Sequence, residues 1–444
     1  MANVRPFKGI LYNKKLVEIQ KVVTPPYDVI TPDEQEYYYS CHPQNIIRLI
    51  LGKNQPEDSE KSNRYTRAAT CYRQWIENNY LKIDDVPAFY MIETIFTVQD
   101  IEYSRLGFIA QVGLEKFDTG VIKPHEKTFS KVKSDRFELM KLCHANFSPI
   151  FSLYSDPQLK IQNQLIQTID MTNPDISIKD QKGHTHNLWR VTDTDTHKMI
   201  SSTMDNNSLF IADGHHRYET ALTYLDWVQK ESSQLVQKNH PARFIMMYLT
   251  AMEDQGLIIL PAHRNVSQLD EQVLLSFIEQ ANQFFTIKTF PFAESNKDSV
   301  KSEFYQTLNN QSNKHTIGIY TKKFNEFYCL TTRPNIIDNV LGHIEPSLRQ
   351  LDVTLITQLI LEKIFHFDQT ALDNENQITY TTDSNQAIHD VDAGKSAVAI
   401  LLNATKIDQV KEVAEAGLIM PRKSTYFYPK VMTGLVINQL THTE

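Results

Sequence analysis

Apolar and polar positions switch repeatedly between a period near two and a period near 3.6, and the switches outline a run of strands and helices. Val23-Thr24-Pro25-Pro26-Tyr27-Asp28 opens the pattern as an extended piece, because each proline fixes its own φ and biases the residue before it away from helix. Thr31 then reads as an N-cap, with Pro32 at the first helical position and Glu34 at the third. Residues 60–80 predict a helix ending near Asn78 and Asn79. The β-branched and aromatic runs 88–96 and 106–112 predict strands. A helix over 134–145, an extended stretch at 148–154, a helix over 157–169 and a strand at 186–192 follow. Leu209–Ala212 is a short buried strand, and it runs through Asp213-Gly214-His215-His216-Arg217 into a helix with apolar residues at three- and four-residue spacing. Segments 244–250 and 257–260 read as two more strands. Past residue 265 the chain is more polar, with an apolar helix at 350–365, a buried strand at 397–402 and a helix at 406–416. The pattern predicts an α/β protein with a mixed sheet, in two regions, 1–265 and 266–444, and without internal repeats.

The strand–turn–helix at 209–228 carries the strongest chemical signal. A strand that turns through glycine into a helix aims backbone N–H groups and the positive end of the helix dipole at one point. His215, His216 and Arg217 add cationic or hydrogen-bonding side chains there, and Gly214 permits close backbone approach. Asp213 repels phosphate, so it reads as a metal ligand or a base. Arg217, at the helix start, is expected to contribute a phosphate contact and little packing. The bland alternative makes Asp213 a helix cap and the histidines surface residues.

Two further clusters stand out. Lys123-Pro124-His125-Glu126-Lys127-Thr128 places a carboxylate beside an imidazole, a plausible general base for a hydroxyl, against the alternative of a solvated loop. Pro421-Arg422-Lys423-Ser424-Thr425 offers a cation and two hydroxyls to an anion, against the alternative of a surface loop before an edge strand. If it acts, the C-terminal segment folds back onto the earlier site.

Composition narrows the function class. The 444 residues carry a formal net charge of -8 and no Lys/Arg run, which argues against nucleic acid, as does the absence of a helix-turn-helix signal. Four cysteines without close pairs predict reduced thiols. The start lacks the apolar core of a signal peptide, and no apolar stretch suffices to cross a bilayer, so a cytoplasmic protein off the membrane is expected.

IADGHHRYETAL resembles the phosphate-binding turn of the ParB/sulfiredoxin superfamily. The chain as a whole is similar to a bacterial and archaeal family known as domain of unknown function 1015. The matching pieces are VRPFKG (4–9), TPPYDVI (24–30), KPHEKT (123–128), Asn146-x-Ser148-Pro149, DGHHRYETAL (213–222), LPAHR (260–264) and MPRKSTYFYPK (420–430). Ala262 departs from the pattern, where a hydroxyl residue is expected. The superfamily includes nucleotide-dependent enzymes and free-serine kinases. The resemblance therefore implies a ParB/sulfiredoxin-like core with large additions, followed by a C-terminal α/β region, and phosphoryl transfer to a small hydroxyl compound, free L-serine by preference. Pyrophosphate or an adenine nucleotide would be the donor, with Mg2+ held by Asp213. It implies Glu126, Asp213 and His216 as catalytic residues. Gly214, His215, Arg217, Lys423, Ser424 and Thr425 would bind the phosphate donor. Tyr27, Asp28, His125, Lys127, Thr128, Asn146, Ser148, His263 and Arg264 would bind substrate. A phosphoserine phosphatase and a non-catalytic nucleotide-binding module are the alternatives, and a homodimer is an open assembly state.

Two patterns are set aside. Gly394-Lys395-Ser396 lacks the earlier glycine of a phosphate-binding P-loop, since His389 stands there, and a strand is expected after it. His184-x-His186 in a strand-like stretch reads as a pair of ordinary surface histidines.

Overall fold

Local signals in the sequence become elements in the computed structural model, which describes residues 1–126, 130–232 and 236–441, and of 130–132 the backbone alone. Thr31 caps the helix Pro32–Cys41 through the reciprocal bonds its sequence predicts, accepting from the Glu34 N–H at 3.2 Å while Glu34 accepts from the Thr31 N–H at 2.8 Å. Asn63 caps the helix Arg64–Glu77 in the same way through Thr66. The chain divides into two units, Met1–Ile258 with Pro429–Glu444, and Ile259–Tyr428.

The first unit is built on a mixed nine-stranded sheet among the described residues. Its strands run, in spatial order, Ile122–Lys123, Leu209–Asp213, Ile150–Tyr154, Phe244–Ala251, Ile101–Gly113, Phe89–Val98, Thr185–Val191 and Ile176–Lys179, and Val4–Arg5 adds to Ile101–Gly113. Two pairings are parallel: Ile122–Lys123 with Leu209–Asp213, and Ile150–Tyr154 with Phe244–Ala251. The others are antiparallel, so the architecture is the mixed α/β sheet that the alternation predicts. A core of Met91, Phe108, Ile211 and Met247 packs with Ile200 and Met204 of the helix Thr194–Met204 and with Tyr218, Ala221 and Tyr224 of the helix His215–Glu231. Each of the Met, Phe and Ile side chains contributes about 1.5–3 kcal/mol by leaving water.

The last residues complete this unit. Thr433 and Thr24 exchange backbone hydrogen bonds at 2.8 and 3.2 Å, and Ile437 and Ile10 do so at 2.8 and 2.9 Å. The short strand Asn438–Gln439 pairs with Ala145–Asn146. The Asn438 side chain, fully buried, donates to Asn146 Oδ1 at 2.9 Å and accepts from Gln111 Nε2 at 2.7 Å.

The second unit holds a six-stranded antiparallel sheet in the order Phe285–Pro291, Glu326–Thr332, Thr316–Thr321, Val398–Leu401, His263–Val266 and Ile378–Thr381. Phe304, Leu308, Ala387, Ile388 and Val391 pack into its core. The apolar segment expected as one helix over 350–365 is α-helical at Asp352–Leu355 and π-helical at Ile356–Ile364. Both parts bury consecutive side chains, Val353 to Leu355 and Leu359 to Leu361, as expected of a helix enclosed on most of its circumference. Gly394 follows the helix Ser384–Asp392 with φ at +73°, and the strand Val398–Leu401 comes next, as the rejection of a P-loop requires.

Asn438→Ala strands two buried polar partners, Gln111 and Asn146, and should cost about 1–3 kcal/mol. A urea denaturation midpoint that does not fall would show that the Asn438 bonds do not anchor the C-terminal segment.

Candidate functional site

The turn expected to bind phosphate is built from an irregular strand end and a glycine. In the pairing of Leu209–Asp213 with Ile150–Tyr154, Ile211 faces Ser152 and Asp213 faces Phe151, so Ala212 is the extra residue of a bulge. A bulge re-aims the side chain that follows it, here Asp213. Gly214 then takes φ +96°, a left-handed conformation. A Cβ at this position would also lie 2.9 Å from Arg217 Nε. The 17-residue helix His215–Glu231 starts immediately after, and no Gly214 side chain exists to cap it. Its first amides therefore face the turn without a cap from Gly214.

Asp213 is the centre of the charge arrangement. Its Oδ2 accepts from Arg217 Nη2 at 2.5 Å, and its Oδ1 accepts from Lys430 Nζ. Arg217 also donates to the Pro149 carbonyl. Burial alone would raise the Asp213 carboxyl, but Lys430 and Arg217 outweigh it and hold the group well below the usual carboxylate range. Arg217 is buried, so the expectation that it packs little does not hold: its guanidinium ties the helix to the strand end and to the Pro149 turn.

The parallel pairing of Ile122–Lys123 beside Leu209–Phe210 carries His125 and Glu126 to the same turn. The His125 N–H donates to His215 Nε2 at 3.2 Å, and the two rings meet edge to face at 4.8 Å. With Nε2 accepting, the proton of neutral His215 lies on Nδ1, which stands 4.0 Å from Glu126 Oε2. Burial, reinforced by His125, pushes His215 well below its ordinary pKa and keeps it neutral. His216 is half-buried. Burial lowers its pKa too, while the carboxylates of Glu219, Glu126 and Asp28 pull it up.

The Thr24–Ile30 segment contributes Tyr27 and Asp28. Burial, with Asp28, pushes the Tyr27 phenol up to about 12, and the Arg136 guanidinium sits 4.1 Å over its ring. Asp135 holds Arg136 in place and also accepts from Arg64 at 2.5 Å and Tyr65 at 2.6 Å. Lys133 pairs with Glu219 at 2.6 Å.

Other expected site residues have different surroundings. Asn146 is buried against Asn438, and Ser148 Oγ meets Thr433 Oγ1 at 2.9 Å, so both hold the C-terminal segment. Lys127 and Thr128 lie outside the described residues. His263, Arg264, Lys423, Ser424 and Thr425 belong to the second unit. There His263 accepts from the Leu402 N–H at 3.1 Å, Arg264 lies buried over Tyr380, and the Ser424 hydroxyl donates to the Pro421 carbonyl at 2.5 Å. Lys430 was missed by sequence reasoning. Its only signal is its place at the end of MPRKSTYFYPK, beyond the more conspicuous Lys-Ser-Thr. The proposed Mg2+ ligand Asp213 has a cation on each oxygen, so a divalent ion would have to displace Lys430 or Arg217. His184 and His186, read as surface residues, are buried at 5% and 2% exposure. Two concavities of about 340 and 550 Å3 flank Gln439, and residues of the 213–217 turn line neither.

A family described as "Protein of unknown function (DUF1015)" matches residues 4–354. No curated protein matches the chain. Among solved structures the chain is similar to a conserved hypothetical protein from Pyrococcus furiosus, at 10% identity over 73% of this chain and 92% of that one, with a TM-score of 0.32. It is similar to a free serine kinase in complex with AMP at 9% identity over 76% and 91%, with a TM-score of 0.33. It is similar to a C-terminally truncated SbnI from Staphylococcus aureus at 8% identity over 74% and 86%, with a TM-score of 0.32.

Lys430→Met should destabilise the folded protein by about 1.5–3 kcal/mol at neutral pH, because it removes one of the two charge-assisted bonds to a largely buried carboxylate while Arg217 keeps the other. The folded-state pKa of Asp213 is depressed, so the pair's contribution is complete above the unfolded value, near 3.9, and is lost as pH falls through the folded value. The gap between wild type and variant in thermal unfolding should therefore narrow only under strongly acidic conditions. An equal gap at every pH would contradict the pairing.

Proposed function

This chain belongs to the DUF1015 family of proteins of unknown function, and we propose that it is a phosphotransferase that acts on the hydroxyl of a small molecule, with free L-serine as the acceptor and pyrophosphate or an adenine nucleotide as donor. The observation that carries this reading is the convergence on one helix start, which Gly214 leaves without a side-chain cap, of the neutral His215, His216 and the carboxylate of Glu126.

Phosphoryl transfer asks chiefly for positioning and for charge stabilisation. The amides of His215, His216 and Arg217 would take the donor's phosphate oxygens, in the manner of helix N-termini that bind anions. Arg217 supports this role indirectly, by fixing Gly214 and the first helical turn through Asp213 and Pro149. Asp213 is a poor base, since two cations stabilise its ionised form. Glu126 is the better one: about a third exposed, it can reach an acceptor hydroxyl, and His215 Nδ1–H faces its Oε2. Tyr27 and Asp28 would line the acceptor side. Mg2+, which when bound would neutralise charge on the donor, fits the exposed Asp28 better than Asp213, whose oxygens each already hold a cation.

The test is to incubate the purified protein with L-serine, Mg2+ and, separately, pyrophosphate, ADP and ATP, and to follow O-phosphoserine by mass spectrometry. Absence of phosphoserine with every donor sinks the proposal. Loss of added phosphoserine without a donor would favour a phosphatase, and donor binding without turnover would favour a regulatory module. Glu126→Gln should lower turnover by about 10²–10⁴-fold while donor affinity holds, as expected for a base that touches only the acceptor. A drop of less than about tenfold removes Glu126 from that role.

A further inference from the structure

At the opposite end of the first unit's sheet, five strand steps from Leu209–Asp213, the edge hairpin formed by Ile176–Lys179 and Thr185–Val191 turns through residues 180–184. Gly183, at φ +82°, closes that turn. Asp180 Oδ1 accepts the backbone N–H groups of Lys182 and His184, both at 2.9 Å, and this fixes the carboxylate. Its other oxygen, Oδ2, is thereby aimed at two imidazoles: 2.9 Å from His184 Nδ1 and 3.2 Å from His186 Nε2.

His184 and His186 are two residues apart at the start of a strand, which places both rings on one face. Thr94, paired with His186 across the sheet, brings its hydroxyl to within 3.3 Å of His186 Nδ1 and so turns Nε2 toward Asp180. Phe96, on the same strand as Thr94, packs edge-on to the His184 ring at 6.1 Å. One nitrogen from each imidazole and one carboxylate oxygen thus lie within 4.8 Å of one another. A tetrahedral ion with bonds of about 2.0–2.1 Å holds its ligand atoms about 3.4 Å apart, close to the spacing already present between Asp180 and each histidine. No other group of three such residues converges in this way among the described residues.

We propose that Asp180, His184 and His186 form a binding site for a divalent transition-metal ion, Zn2+ by preference, with its fourth position open to water. Two neutral imidazoles and one carboxylate are a donor set that favours Zn2+ over the oxygen-seeking Mg2+ and Ca2+. The orienting bonds from Thr94 and from the backbone of Lys182 and His184 are what a metal site needs around its ligands. The ion clips the hairpin turn to the strand that follows it. The site is independent of the phosphoryl-transfer reading.

The full-length protein, stripped with a chelator, should take up one equivalent of Zn2+ per chain and melt at a higher temperature with it. Co2+ in its place should show the intense visible bands of a tetrahedral site. A His184→Gln/His186→Gln variant, folded by near-UV circular dichroism, should lose both responses. Should that variant fail to fold, Asp180→Asn serves instead, with an expected loss of at least tenfold in Co2+ affinity. Uptake below one equivalent, Co2+ bands unchanged in the folded variants, or equal displacement by the same concentration of Mg2+ would overturn the proposal.

Discussion

The largely buried carboxylate of Asp213, with one oxygen on Arg217 and the other on Lys430, is the constraint around which this end of the first unit is arranged. An ionised carboxylate out of water is costly unless its charge is matched and its lone pairs are satisfied. One cation comes from the next helical turn, four residues on, and the other from a segment 217 residues further along the chain. The bulge at Ala212 and the left-handed Gly214 let the carboxylate and the Arg217 guanidinium meet. The backbone bonds of Thr433 and Ile437 and the buried Asn438 hold the segment that delivers Lys430. Strand end, helix start and chain terminus thus close on one charge.

This arrangement divides the chemical roles. Asp213 and Glu126 are both carboxylates at the same turn, but the first is enclosed by cations and the second stands partly in solvent against a neutral imidazole. Environments that differ this much assign different tasks to the same functional group. Under the proposed function Asp213 would preserve geometry, and Glu126 would be the carboxylate that takes the proton. The same logic gives Arg217 a structural task, tying the turn at Gly214 to Asp213 and to the Pro149 carbonyl. In the proposed function anion recognition would rest on backbone amides, whose positions depend on the helix start and not on a flexible side chain.

Asn146 and Ser148, given substrate contacts by the family resemblance alone, meet Asn438 and Thr433 in the fold. They help to place Lys430, so their influence on the site passes through packing.

Signals confined to neighbouring residues were legible in the sequence. The reciprocal cap of Thr31 and Glu34 needs only a three-residue spacing, and the buried strand running through glycine into an amphipathic helix is written in consecutive residues 209–228. The mixed α/β character followed from the same local periods. What only the tertiary structure decided involves partners distant along the chain. Lys430 carries no local mark that distinguishes it from Lys423; its meeting with Asp213 depends on where the final segment is laid down. His125 and Glu126 reach His215 because two short strands pair in parallel, a register that their own residues do not specify. The burial of His184 and His186 comes from Thr94 and Phe96 on the neighbouring strand, so a pattern that reads as an exposed edge encloses two imidazoles and a carboxylate. Local preference acts through bonds a few residues apart, whereas charge pairing and burial are set by which distant surfaces the folded chain brings into contact.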